Sequence, residues 1–126
     1  MGIGYSTATR SSRLTAVVTE AGASAKMKFY NGTQPATGGT ATTLLATLTF
    51  GANIGTVTSG VLTLGSVSQT NSSHVAGTPT WVRITDSSDA FIADINIGSG
   101  GMTFSGTIAT GVDITLNAST ITEGNA

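Results

Sequence analysis

Apolar and polar residues alternate over short runs separated by glycine-rich turns, the pattern of half-buried strands. Lys26 to Tyr30 sets Met27 and Phe29 on one face and Lys26 and Lys28 on the other. Leu44 to Phe50 places Leu44, Ala46, Leu48 and Phe50 inward, against Thr47 and Thr49, and Val61 to Gln69 turns Leu62 and Leu64 inward. Met102 to Phe104, Val112 to Leu116 and Thr120 to Thr122 are further short candidates, the last closing an edge.

The best-defined hairpin spans Thr80 to Ile97. Its turn, Asp86-Ser87-Ser88-Asp89, carries side chains that hydrogen-bond nearby backbone. Pairing Thr85 with Ala90 sets Ile84 opposite Phe91 and Val82 opposite Ala93 on one face. The other face then holds Trp81, Arg83, Ile92 and Asp94, with Arg83 diagonal to Asp94. Asn31-Gly32, Gly38-Gly39, Gly51, Gly60, Gly77 and Gly98 to Gly101 mark turns between the runs. Strands about ten residues apart with such turns predict an all-β fold, a β-sandwich or jelly roll of seven to eight strands.

Ser11 to Glu20 departs from this pattern. Leu14, Val17 and Val18 recur at helical spacing, the Ser11-Ser12 pair can cap, and Gly22 sits where a helix would stop. The organisation expected is an N-terminal helix or extended arm over 1–22, followed by a single β-sandwich domain over 23–126. No linker, repeat or low-complexity tract divides the chain.

Composition narrows the function. Gly, Ser and Thr make up 55 of 126 residues, so hydroxyls and turns take the place that charges hold on most surfaces. Five basic residues, six acidic ones and one histidine provide no basic patch for nucleic acid. No apolar run approaches the ~20 residues of a membrane-spanning helix, and no signal peptide is visible. Gly2 and Ser6 formally match the myristoylation pattern, a short and common one. The absence of cysteine excludes disulfides, thiolate metal sites and cysteine nucleophiles. A net charge of -1 leaves little repulsion between copies, which suits a subunit of an assembly.

Candidate chemistry is sparse. His74, the lone imidazole, falls in a polar loop and reads as solvent-exposed rather than as a general base. Metal-ligand spacings such as HxH or CxxC do not occur, and no cofactor is expected. Asp86 and Asp89 read as an Asx-type turn, with a calcium site as the weaker alternative. Asp94 and Asp113 fall on outward strand positions. Gly98-Ser99-Gly100-Gly101 lacks the Lys-Ser/Thr and following helix of a phosphate loop and reads as a turn. Three sequons, at Asn31, Asn71 and Asn117, read as chance matches in an Asn/Ser/Thr-rich chain. Trp81 with Arg83 on the same outward face reads as an interface anchor, or as a stacking platform for a sugar ring; a core-facing Trp81 needs the opposite register.

Two stretches carry a resemblance. The first runs from Arg10-Ser-Ser-Arg-Leu-Thr-Ala-Val through Phe29-Tyr30-Asn31-Gly32-Thr33-Gln34-Pro35-Ala36-Thr37-Gly38-Gly39 to Ala41-Thr42-Thr43-Leu44-Leu45-Ala46-Thr47-Leu48-Thr49-Phe50. The second is Gly77-Thr78-Pro79-Thr80-Trp81-Val82-Arg83-Ile84-Thr85-Asp86, with the Ile121-Thr122-Glu123-Gly124 tail. Together they resemble small β-rich structural proteins of tailed bacteriophages and prophages. The resemblance implies a non-enzymatic virion protein made in the bacterial cytoplasm. In particular, it implies a capsid decoration, or cement, protein on the capsid surface. Its expected partners are the major capsid protein and further copies of itself, as a dimer or trimer, with neither nucleic acid nor membrane. The contact residues expected are Arg10, Arg13, Leu14, Val17, Trp81 and Arg83. A tail- or fibre-associated module that binds glycans through Trp81 is the alternative; a soluble enzyme is a poor third.

Overall fold

A computed structural model of the protein describes residues 4–65, 67–69, 75–98, 101–104, 108, 114–116 and 119–122. His74, Asp113, Glu123, Gly124, the Asn71 sequon and Asn117 lie outside the described residues.

Helix α1 (Thr7–Ala21) begins at Ser6, whose Oγ accepts the Thr9 N–H at 3.2 Å. It stops at Gly22, where φ of +68° lets the backbone leave the helix while the Gly22 N–H still donates to the Val18 carbonyl. The stop is where the sequence placed it, but the cap is Ser6 and not the Ser11-Ser12 pair. Ser11 instead accepts the Gly60 N–H on its Oγ at 2.8 Å, which ties the helix to a strand turn. The segment is a helix rather than an extended arm, and Leu14 and Ala21 are buried on its inner face.

Among the described residues nine strands follow: β1 (Lys26–Tyr30), β2 (Leu44–Thr49), β3 (Gly55–Thr58), β4 (Val61–Leu64), β5 (Val67–Gln69), β6 (Trp81–Thr85), β7 (Phe91–Asn96), β8 (Ile114–Leu116) and β9 (Thr120–Thr122). Two antiparallel sheets hold seven of them, in the orders β2-β1-β6-β7 and β3-β4-β9, and β5 pairs with β8. The protein is therefore mostly β, with one short helix. Met27, Phe29, Leu48, Val82 and Ile84 from the larger sheet share one buried cluster with Leu62, Leu64 and Ile121 from the smaller, and with Leu14 of the helix. Strand β3 was not among the sequence candidates. It begins at Gly55, where any Cβ would collide with the Thr63 backbone carbonyl, so the β3–β4 approach requires glycine.

Two bulges correct the expected faces. In β1–β2 the register shifts between Phe29 and Tyr30, so Phe29 faces Ala46 and Tyr30 faces Leu44. Leu45 becomes the extra residue. It turns inward at 1% exposure, and Leu44, expected inside, is 43% exposed. In β6–β7, Thr85 faces Phe91 rather than Ala90, and Ile84 faces Ala93. The extra residue, Ile92, packs against the core, while Phe91 turns outward at 39% exposure. Arg83 consequently stands directly opposite Asp94, not diagonal to it.

Candidate functional site

Strand β6 is buried on both faces, because the segment between β1 and β2 folds over its outer side. Tyr30 and Trp81 are register partners, and their rings stack with centroids 4.4 Å apart and planes 13° from parallel. The Trp81 indole N–H donates to the Asn31 carbonyl at 3.2 Å and to the Thr42 Oγ1 at 3.0 Å. Thr42 itself donates its hydroxyl to the Asn31 carbonyl. Thr80 adds two bonds to the same segment, from its N–H to the Tyr30 carbonyl at 2.9 Å and from its Oγ1 to the Gly32 carbonyl at 2.6 Å.

The far end of the loop is held by an ion pair. Arg83 donates from Nε to Asp94 Oδ1 at 2.6 Å and from Nη2 to Asp94 Oδ2 at 3.0 Å, a two-pronged pair. The same Nη2 reaches the Gly39 carbonyl at 2.8 Å, and Asp94 Oδ2 accepts the Gly38 N–H at 3.1 Å. Gln34 Nε2 contacts the Asp94 backbone carbonyl at 3.4 Å. The guanidinium carbon lies 5.4 Å from the Trp81 ring centre and 5.3 Å from that of Phe91. Its hydrogen bond to Asp94 holds the Arg83 proton more firmly than usual, against the opposing effect of burial. Residues 31–43 are thus clasped at both ends onto the outer face of the larger sheet.

A second charged cluster sits at the β6–β7 turn. Asp86 Oδ1 accepts the Ser88 and Ala90 N–H groups at 2.8 and 2.9 Å, an Asx turn as the sequence suggested. Asp89, at φ +67°, places one carboxylate oxygen 3.0 Å from both Lys26 Nζ and Lys28 Nζ. Lys28 first, and then Lys26, pull its carboxyl below the usual range by hydrogen bonding. Between Lys28 and Arg83 the sequence has no Lys, Arg, Asp or Glu. The outward positions Thr56, Thr58, Thr63 and Thr122 of the smaller sheet are accordingly hydroxylated and uncharged.

The six expected contact residues divide into three groups. Leu14 is buried and Val17 packs half-buried on the core, so the fold itself uses both. Arg10 donates to Thr7 Oγ1 at 3.0 Å and lies over Gly60; Arg13 stacks 4.4 Å from the Tyr5 ring centre. Trp81 and Arg83 share the outer face as expected. Trp81, however, is 0% exposed, which corrects its reading as an open platform for a sugar or a partner. The cover is the loop, which the sequence announced only as turn residues. Tyr30, Asn31, Thr42 and Gly39 were missed as its partners; the usable signal was an outward Trp-x-Arg facing an outward Asp, a set of groups that needs a lid.

Among the described residues, no group of three or more His, Cys, Asp or Glu could hold a metal ion, and no helix is long and apolar enough to cross a membrane. Comparison with protein-family models, with curated proteins and with solved structures gives no match.

Proposed function

We propose that the protein is a structural component of a tailed-phage particle, a capsid decoration protein that stabilises the head by bridging capsid subunits. One observation carries the reading. The two stretches that resemble phage structural proteins are the two halves of the clasp: Tyr30, Asn31, Gly32 and Gly39 from one meet Thr80, Trp81 and Arg83 from the other. The residues that carry the resemblance therefore meet in one three-dimensional device of this fold. We read the two larger sheets, which contribute to one buried cluster, as the layers of a sandwich or jelly roll.

With Trp81 enclosed, the contact surface moves to the large apolar side chains that, among the described residues, the fold leaves outside: Leu44, Val75 and Phe91. Leu44 and Phe91 lie on β2 and β7, the two edges of the larger sheet, and the Val75 N–H donates to the carbonyl of Leu45, beside Leu44. Exposed apolar groups with few charges suit a contact that buries area without desolvating ions. Each copy seated on several shell subunits adds interface that must break before the head opens; specific contacts bury about 1,200–2,000 Å².

Immunogold labelling of particles released by the bacterium that carries the gene tests this reading. Dense labelling over the head is the expected result. Label confined to one vertex moves the protein to the tail, and unlabelled particles overturn the virion assignment.

A further inference from the structure

Asn31-Gly32 is the one Asn-Gly step in the sequence. In such a step no side chain hinders the glycine amide nitrogen on its way to the asparagine Cγ. Where the backbone is free to turn, that nitrogen attacks Cγ. A new N–Cγ bond closes a five-membered succinimide, and the bond from Cγ to the amide Nδ2 breaks to release ammonia. Water then adds to one of the two imide carbonyls and breaks one ring C–N bond, leaving aspartate or isoaspartate at position 31. Water is the only other reactant, and nothing is oxidised or reduced.

The fold pins this step on all sides. The Asn31 N–H donates to the Thr43 carbonyl at 3.2 Å, and the Asn31 carbonyl accepts from Trp81 and from Thr42. The Gly32 carbonyl accepts from Thr80. Gly32 sits at φ +79°, and a Cβ there would stand 3.4 Å from the Thr42 methyl. Ring closure requires the peptide between residues 31 and 32 to rotate, and rotation breaks the bonds to Trp81, Thr42 and Thr80 together.

We propose that Asn31–Gly32 is a self-modification site gated by the clasp, protected while the loop is seated and reactive when it lifts. Modification also prevents return. Isoaspartate routes the backbone through the former side chain: one methylene enters the main chain between Cα31 and the carbonyl that now precedes Gly32, and the original Asn31 carbonyl, the acceptor for Trp81 and Thr42, becomes a carboxylate branching off the chain. The Asn31 and Gly32 carbonyls can then no longer meet Trp81 and Thr80 at once. It also places a carboxylate in a span of sequence that otherwise has no acidic residue. The clasp thus carries a one-way chemical record of its own opening.

The test follows isoaspartate at position 31 by peptide mapping during incubation at mildly alkaline pH. The wild-type protein, folded and in urea, is compared with folded Thr42→Val, Thr80→Val and the distant control Thr122→Val. Each valine keeps the side-chain shape and removes only the hydroxyl. The urea sample is expected to modify fastest and the folded wild type slowest. Thr42→Val and Thr80→Val should each speed the folded reaction about fivefold, the factor that one lost hydrogen bond of ordinary net worth sets on an opening equilibrium. Thr122→Val should match wild type. Circular dichroism establishes that each variant is folded. Equal rates in folded and urea samples overturn the gate, as do folded Thr42→Val and Thr80→Val variants that modify at the wild-type rate. The aged fraction, separated by its extra negative charge, should show Trp81 fluorescence shifted to the red; unshifted emission overturns the one-way closure.

Discussion

Tyr30 and Trp81 stack nearly parallel on the outer face of the larger sheet, with 4.4 Å between ring centres and the Asn31 carbonyl capping the indole N–H. The pair forms a second apolar layer outside the main core. Trp81→Phe keeps a ring there and removes both indole hydrogen bonds. Urea unfolding should show a loss of about 1–2 kcal/mol, the worth of one or two such bonds. Thr42 should supply part of that loss, so a Trp81→Phe, Thr42→Val cycle should be non-additive.

Arg83 and Asp94 form the polar counterpart. The Asp94 side chain is 2% exposed, so removing its cation leaves a buried charge without compensation. Arg83→Ala is expected to cost about 3 kcal/mol in chemical denaturation, because breaking a buried pair is far costlier than removing both partners. In the double variant Arg83→Ala, Asp94→Ala, much of that cost should return.

The Asp89 cluster predicts an acid dependence. Its carboxyl is depressed in the folded state by Lys28 and Lys26. That contribution is therefore fully present above the unfolded value of about 3.9 and is lost as pH falls through the lower, folded value. Thermal midpoints of the wild type should decline over that acid window more steeply than those of Asp89→Asn. At neutral pH the wild type should be the more stable of the two, by a margin kept small because the group is exposed and screened by solvent, and the two should converge at the acid end.

The helix belongs to the same core as the strands, and Leu14 decides the point. Leu14→Ala should destabilise the whole protein by about 3 kcal/mol, with one unfolding transition seen by both far-ultraviolet circular dichroism and tryptophan emission. Two separated transitions would show a helix that folds independently of the sheets.

How much was legible in the sequence varies by element for physical reasons. Met27 and Phe29 face inward as the alternation of β1 predicted, and so do Leu62 and Leu64. Alternation survives wherever the pairing is regular. It failed at Leu44 and Phe91, because a single inserted residue reverses every face beyond it and leaves no compositional mark. The outward set Trp81, Arg83 and Asp94 was readable as a face. Its burial was not, since the cover comes from Thr, Gly and Pro residues that look like any solvent-facing turn.

The strand order has a consequence for synthesis. Strand β1 lies inside the larger sheet, between β2, made soon after it, and β6, made much later. At about 5–20 residues per second, one side of β1 stays unpaired for a few seconds before Trp81 leaves the ribosome. Lys26 and Lys28 border that bare edge, and lysines there discourage pairing with a neighbouring nascent polypeptide. The same two side chains that later grip Asp89 therefore act first as guards against misassembly.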